Sequence, residues 1–182
     1  GDYLKSYQGW LGRWLLTFDG TQYFHSTEIH CPQCTTRVIN ERIHYSHGLV
    51  APLIVAPGHR QVIALEPAFI MPQDGHDKQD CELRATERWL KRNAHHFPAG
   101  TVTVLGDDLY AHQPFCELLT SYRWHFAFTC RPESHAALYQ EIALLAKVGG
   151  VPQLTERHHN GARREVWQYR YAMRVPLRAD LQ

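Results

Sequence analysis

Two apolar segments that each lead into an aspartate constrain the fold of this 182-residue chain most. The first predicts a buried strand over residues 11–18 followed by a turn at Asp19, and the second a strand over residues 101–105 followed closely by Asp107. We expect neighbouring strands that deliver both carboxylates to one edge of a sheet. Because Mg²⁺ and Mn²⁺ prefer oxygen ligands, paired carboxylates predict a divalent-metal site there. The alternative is that each aspartate only marks a turn after a strand.

The composition is that of a globular domain, with 44% hydrophobic and 20% charged residues. A formal net charge of +1 excludes a generally basic polyanion-binding protein, so any basic surface must be a local patch. No apolar run approaches the roughly 18 residues that a membrane-spanning helix needs, and no signal segment opens the chain. We expect a soluble, cytoplasmic protein without membrane association. Neither end carries a clear start or stop signal, which predicts a segment of a longer protein.

Residues 25–47 are rich in the side chains that bind soft metals. Cys31 and Cys34, followed by His44 and His47, give the paired thiolates and imidazoles of a tetrahedral zinc site. The nine-residue gap between the pairs is shorter than the commonest zinc-finger spacing. A bound Zn²⁺ and an ordinary hairpin with buried thiols and surface histidines both stay open.

Hydrophobic periodicity predicts the remaining elements in a regular order. They are a hairpin, a helix, a strand, a helix, a strand, a helix capped by Ser134, a polar loop and a final strand. The predicted ranges are 49–55 with 62–65, 77–95, 101–105, 114–122, 125–130, 134–147, 156–164 and 167–175. Pro52, within the hairpin, predicts a bulge or an exposed edge because proline cannot donate a ladder hydrogen bond.

This order predicts an α/β fold of the ribonuclease H-like kind, a mixed sheet with helices packed on it. In that arrangement the first and fourth strands are neighbours, which brings Asp19 and Asp107 together. We expect the core to span residues 1–150, with the Cys/His-rich insert at 25–47. Residues 151–182 are expected to begin a β-rich insertion or a C-terminal extension, cut short in this chain.

Four separated motifs resemble those of one family. They are Asp19-Gly20-Thr21-x-Tyr23-Phe24, the His30–Cys34 segment, the stretch 72–82 and the segment 106–114. Together they resemble the catalytic domain of bacterial insertion-sequence transposases of the DDE class. The resemblance implies DNA transposition, in which a divalent metal supports cleavage and strand transfer at the ends of a mobile element. It also implies DNA as partner and association with the bacterial nucleoid, and it leaves a homo-oligomer open.

Two catalytic acids can be carried over from the resemblance. Asp19 matches the first and Asp107 the second. Asp108 competes for the second position, but the family pattern of an acid, two residues and an aromatic fits Asp107 with Tyr110.

The third acid departs from the family pattern, which is Tyr-x2-Arg-x3-Glu. Here Tyr171-x2-Arg174 is followed by Arg178, so the triad is expected to be incomplete and the isolated chain poorly active. Glu141, central to the helix after the last core strand, and more weakly Glu82 on the first long helix, are the candidates within the chain. The alternative for Glu141 is a solvated charge on a helix face.

DNA binding would depend on local arginines that contact phosphates. The candidates cluster near the end of the chain and are Arg157, Arg163, Arg164, Arg170 and Arg174. Three functions therefore stay open. The first is a transposase catalytic domain, the second a non-catalytic DNA- or protein-binding remnant of one, and the third a self-contained nuclease that uses Glu82 or Glu141.

Overall fold

The computed structural model describes residues 2–72, 78–161, 163–173 and 175. The chain forms two compact units, Gly1–Thr129 and Cys130–Gln182. The core boundary expected at residue 150 stays a prediction. None of the helices in the described part of the chain is long and apolar enough to cross a membrane.

The first unit contains a mixed set of strands and helices. They are α1 (Asp2–Lys5), β1 (Trp14–Ser26), β2 (Thr35–Ile39), β3 (Arg42–Val55), β4 (Ile63–Ala64), β5 (Ala68–Phe69), α2 (Lys78–Asn93), β6 (Val102–Gly106), α3 (Gln113–Ser121) and β7 (His125–Phe128). Short 3-10 turns lie at Trp10–Gly12 and Ala94–His96. The predicted start of α2 at Asp77 lies outside the described residues.

These strands form one sheet of mixed direction, in the order β2-β3-β1-β6-β7, with β4 and β5 also paired to β3. The pairs β1–β6 and β6–β7 are parallel, and the others are antiparallel. The expected adjacency of the first strand and the strand before Asp107 is therefore confirmed. Trp14 lies opposite Val102, and Thr17 opposite Leu105.

One face of the sheet is covered by α2 and α3. Leu16 and Phe18 of β1 point to this face, and Trp89 of α2 packs edge-on against Phe18 with ring centroids 5.4 Å apart. Trp89 also donates its indole N–H to the Glu66 carbonyl oxygen at 2.8 Å, so its polar atom is satisfied in the core. On α3, the Phe115 side chain is fully buried. Both helices therefore contribute a large buried aromatic side chain to the core.

The predicted turn at Asp19 is wrong, because β1 continues through it to Ser26. Antiparallel pairing with β3 holds the strand from Leu15 to Ser26, and Asp19 lies opposite Ala51. The parallel neighbour β6 pairs no further than Thr17. Asp19 therefore lies two residues beyond the last parallel pair, inside a strand but at the end of the β1–β6 ladder.

Pro52 lies within β3 without the predicted bulge, since the register shift in β1 falls between Gln22 and Phe24. The Pro52 carbonyl oxygen accepts a hydrogen bond from the Leu65 N–H at 3.0 Å, on the side of β3 that carries β4 and β5. Those two short strands pair with β3 on either side of Pro52. The missing proline N–H therefore falls in the interval between them, where no ladder bond is needed.

The second unit contains α4 (Ala136–Lys147) and a ribbon of β8 (Gln153–Asn160) and β9 (Arg163–Arg170). The N-cap of α4 is His135 rather than the predicted Ser134. The predicted loop at 156–164 is wrong, because most of it pairs in the β8–β9 hairpin. Every residue of β9 is exposed. The polar sequence of β8 lacks the apolar alternation that marks a half-buried strand, which is why the sequence of this stretch predicts a loop.

Candidate functional site

A cleft of about 570 Å³ lies where β6 ends and β1 runs on. Three carboxylate residues line it from three different elements: Asp19 from β1, Glu82 from α2 and Asp107 directly after β6. The predicted pair Asp19 and Asp107 is therefore brought to one site, and Glu82 joins it. Asp19 and Asp107 are exposed and Glu82 is half-buried, so the site opens to solvent.

Glu82 reaches the cleft because β1 has a glycine next to Asp19. A Cβ atom placed on Gly20 would overlap the Glu82 carboxylate, so a larger residue here would displace this acid from its place against the strand. The sequence carried a signal for this approach in the Asp19-Gly20 pair. The same pair is also typical of a turn, so the sequence alone did not indicate a close approach of a helix.

The positions of Asp107 and Asp108 distinguish between them as candidates for the second catalytic acid. Asp107 lines the cleft, whereas Asp108 is not among its lining residues in the described part of the chain. The Asp107 side chain also accepts a hydrogen bond from the Leu109 N–H at 3.1 Å, which fixes the turn after β6. Asp107 thus has a local structural role that coexists with its position in the cleft.

Tyr110 forms the buried floor of the cleft. Its hydroxyl lies 3.4 Å from the Thr86 hydroxyl, and its ring packs against Phe18. Burial raises the pKa of Tyr110 well above the usual 10.0, the Thr86 hydrogen bond opposes the rise, and the carboxylates of Glu82, Asp107 and Asp19 add to it. The phenol is therefore within electrostatic reach of all three acids and stays protonated.

The raised pKa of Tyr110 predicts a loss of stability in alkali. The unfolded chain releases this proton first, so the stabilisation is complete below pH 10 and is lost as pH rises toward the folded-state pKa. Between pH 8 and pH 11 the wild type should lose about 1.4 kcal/mol more unfolding free energy than Tyr110→Phe. Urea unfolding at the two pH values measures the difference. Tyr23→Phe, which alters an exposed tyrosine, is the control, and equal losses in wild type and Tyr110→Phe would contradict the prediction.

A second cluster consists of Cys31, Cys34 and His47. Within the described residues it is the one group of three or more Cys, His, Asp or Glu side chains whose donor atoms all lie within 4.8 Å of one another. The arrangement could hold a metal such as zinc. His44, the fourth residue of the predicted set, lies outside the cluster, with its Nδ1 atom 2.8 Å from Nε2 of His25.

Strand geometry explains why His47 belongs to the cluster and His44 does not. The β2–β3 hairpin turns through Asn40 and Glu41, both with positive φ, and its register places Thr35 opposite Ser46. One step further, Cys34 falls opposite His47. Residues three apart in a strand point to opposite faces, so His44 and His47 cannot face the same ion from β3.

The β8–β9 ribbon separates the predicted DNA-binding arginines. Arg157, Arg164 and Arg170 share one face with His159, since Arg157 pairs with Val166 and Arg164 with His159. The acids of the ribbon, Glu156 and Glu165, lie on the other face.

The remaining predicted arginines are Arg163 and Arg174. Arg163 lies on the opposite face, and Arg174 lies outside the described residues. The third-acid candidate Glu141 lies half-buried on α4. It belongs to the second unit.

Comparisons of the chain with models of protein families, with curated proteins and with solved structures give no match. The geometry of the acidic cleft and of the Cys/His cluster therefore carries the functional inference.

Proposed function

We propose that the chain is a metal-dependent phosphoryl-transfer domain that acts on DNA, the catalytic domain of a transposase of the DDE class. The observation that carries the proposed metal-dependent chemistry is the convergence of Asp19, Glu82 and Asp107 on one cleft. Because Glu82 supplies a third acid from within the chain, the same observation also favours a self-contained nuclease, whereas the four sequence motifs favour the transposase. In the strand order β2-β3-β1-β6-β7, β1 lies beside β6, which is the fourth of these five strands along the chain. A ribonuclease H-like fold has its first and fourth strands side by side, so this order supports the proposal.

The donor set of the cleft fits Mg²⁺ or Mn²⁺, because three carboxylates offer hard oxygen ligands. Their oxygen atoms do not all lie within 4.8 Å of one another, which is wider than a closed single-ion site. Two ions about 3.5–4 Å apart, as in two-metal phosphoryl-transfer sites, would share the three carboxylates between them. Asp19, Glu82 and Asp107 would hold these ions, which when bound activate a water or 3′-hydroxyl nucleophile and stabilise the leaving oxygen.

The chain's own residues position and shield the reaction. Asp107 is fixed by the hydrogen bond from Leu109, and Gly20 lets the Glu82 carboxylate approach β1 closely. Tyr110, protonated in its buried position, closes the floor of the cleft against water. The ligands are therefore held by a strand, a helix and a tight turn, which limits their reorganisation when a phosphodiester binds.

DNA as substrate is supported by the basic face of the β8–β9 ribbon. Arg157, Arg164 and Arg170 place positive charge on this face, and the acids among the described residues of the ribbon, Glu156 and Glu165, lie on the other face. A two-stranded ribbon fits the major groove of duplex DNA, and arginines bind its phosphates. A net charge of +1 is compatible with this role because these three arginines form a local basic patch.

Glu82→Gln tests whether the cleft binds metal with an acid that this chain supplies. We expect Mn²⁺ binding, measured by calorimetry, to weaken at least about tenfold, because a charged oxygen ligand becomes a neutral amide. Glu87→Gln, on the same helix but outside the cleft lining, is the matched control and should bind as the wild type does.

Two results would contradict the proposal. One is the absence of Mn²⁺ binding by the wild-type chain, and the other is equal binding by wild type and Glu82→Gln. DNA binding without metal binding at the acids would favour the non-catalytic remnant instead.

A further inference from the structure

We propose that Cys31, Cys34 and His47 bind one Zn²⁺ ion, with a fourth coordination position open to solvent. The site is separate from the acidic cleft and uses different donor atoms. Because thiolate and imidazole select zinc while carboxylates suit Mg²⁺ and Mn²⁺, the two sites would sort their metals by ligand type.

The distances between the three donor atoms match those of a tetrahedral zinc site. Zn–S bonds of about 2.3 Å and Zn–N bonds of about 2.0–2.1 Å place two sulfurs about 3.8 Å apart, and a sulfur and a nitrogen about 3.5 Å apart. Here the two Sγ atoms are 3.9 Å apart, and each lies 3.3 Å from His47 Nε2. All three edges of the triangle therefore fit one ion.

The surroundings hold the donors in place. The His47 ring is stacked on Tyr23, with ring centroids 5.8 Å apart and planes 13° apart, and it also contacts Phe24. The backbone N–H of Cys31 donates to Cys34 Sγ at 3.3 Å, and such N–H···S bonds stabilise a thiolate. Cys34 is buried and Cys31 exposed, so solvent reaches the cluster from the Cys31 side.

Coordination would tie the irregular segment between β1 and β2 to strand β3. Residues 27–34, between β1 and β2, contain a turn but no strand or helix, whereas His47 lies inside β3. Zn²⁺ would replace the two thiol protons, which pass to the buffer, and would pin this segment to the sheet. The described residues place three donors at the site, so a water molecule would take the fourth position of a bound ion.

Titration of the reduced, metal-free chain with Co²⁺ tests the site, because cobalt reports its ligands in its absorption spectrum. We expect one equivalent to bind with thiolate-to-cobalt absorption in the near ultraviolet and the intense visible bands of a four-coordinate ion. Zn²⁺ should displace the cobalt stoichiometrically. Cys31→Ser should lose about half of the thiolate absorption, and both Cys31→Ser and His47→Asn should weaken binding at least about tenfold.

Two matched variants serve as controls. Cys116→Ser alters a cysteine on α3, and His44→Asn alters the neighbouring histidine on β3; both should bind as the wild type does. The wild-type spectrum tests the site even if a variant fails to fold. The proposal is overturned if the wild type gives no thiolate absorption, if a folded Cys31→Ser binds normally, or if His44→Asn weakens binding as much as His47→Asn. None of these results depends on whether the acidic cleft binds Mn²⁺.

Discussion

Asp19→Asn should lower the rate of Mg²⁺- or Mn²⁺-dependent DNA cleavage by about a thousandfold. Asp19 lines the cleft from within β1, which pairs with β3 on both sides of this residue. The paired backbone cannot move to bring another ligand into the place of the Asp19 carboxylate. Loss of one charged metal ligand removes several kcal/mol of transition-state stabilisation, and about 4 kcal/mol corresponds to that factor. Nicking of supercoiled plasmid by the purified chain measures the rate.

The two adjacent aspartates after β6 supply the matched control. Asp107→Asn should reduce nicking to a similar extent as Asp19→Asn, whereas Asp108→Asn should stay within about threefold of wild type, because Asp108 does not line the cleft. Equal loss in Asp107→Asn and Asp108→Asn would argue for an effect on the turn rather than on metal binding. Nicking that persists in Asp19→Asn would refute the proposed catalytic site.

Phe115→Ala should destabilise the first unit by about 3–5 kcal/mol. Phe115 is fully buried, and its ring packs against Tyr110 at 5.2 Å and Phe128 at 6.0 Å between ring centroids. Alanine would leave a cavity beneath the cleft floor that rigid neighbouring rings cannot fill. Chemical unfolding followed by tryptophan fluorescence measures the loss.

Phe126→Ala is the control for this change, since Phe126 is a phenylalanine of the same region that is 40% exposed. It should cost less than half as much as Phe115→Ala, because much of its ring already contacts water. Equal losses of stability in the two variants would contradict the burial of Phe115 between α3 and the core.

The sequence was sufficient to predict how the strands that carry Asp19 and Asp107 are arranged. Apolar runs, a proline at the start of α3 and the order of elements led to a mixed sheet with these strands adjacent. Those signals are local or depend on connection rules, so one sequence contains them. The same local reasoning failed at Asp19-Gly20, where pairing with β3 overrides the turn preference of both residues.

The sequence of α2 alone could not show that Glu82 lies in the cleft. One acid on an amphipathic helix resembles any other until the crossing of that helix over the sheet is known. The contact with Gly20 is non-local, set by Trp89 and Phe18 packing farther along α2. The expectation that the isolated chain is poorly active stays a prediction, and the cleavage experiment above tests whether Glu82 supplies the third acid.

The choice of His47 as a metal ligand depended on a secondary structure that the sequence analysis did not predict. Pairing Cys31 and Cys34 with His44 and His47 assumed that both histidines face one ion, as they would from a helix. On β3 they alternate, so only His47 meets the thiols. Knowing that residues 42–55 form one strand would have been enough to choose between them.

The far part of β1 has a consequence for self-association. From Phe18 to Ser26 its second edge pairs with no strand in the described part of the chain, which leaves a row of backbone donors and acceptors available to another molecule. A charged side chain on the edge strand and a bulge are two devices that prevent such pairing, and this strand has both, in the exposed Asp19 and in the register shift between Gln22 and Phe24. The same carboxylate that serves the cleft would thus also keep the molecule from adding a foreign strand. Asp19→Asn removes both roles at once, so light scattering belongs beside every activity measurement on that variant.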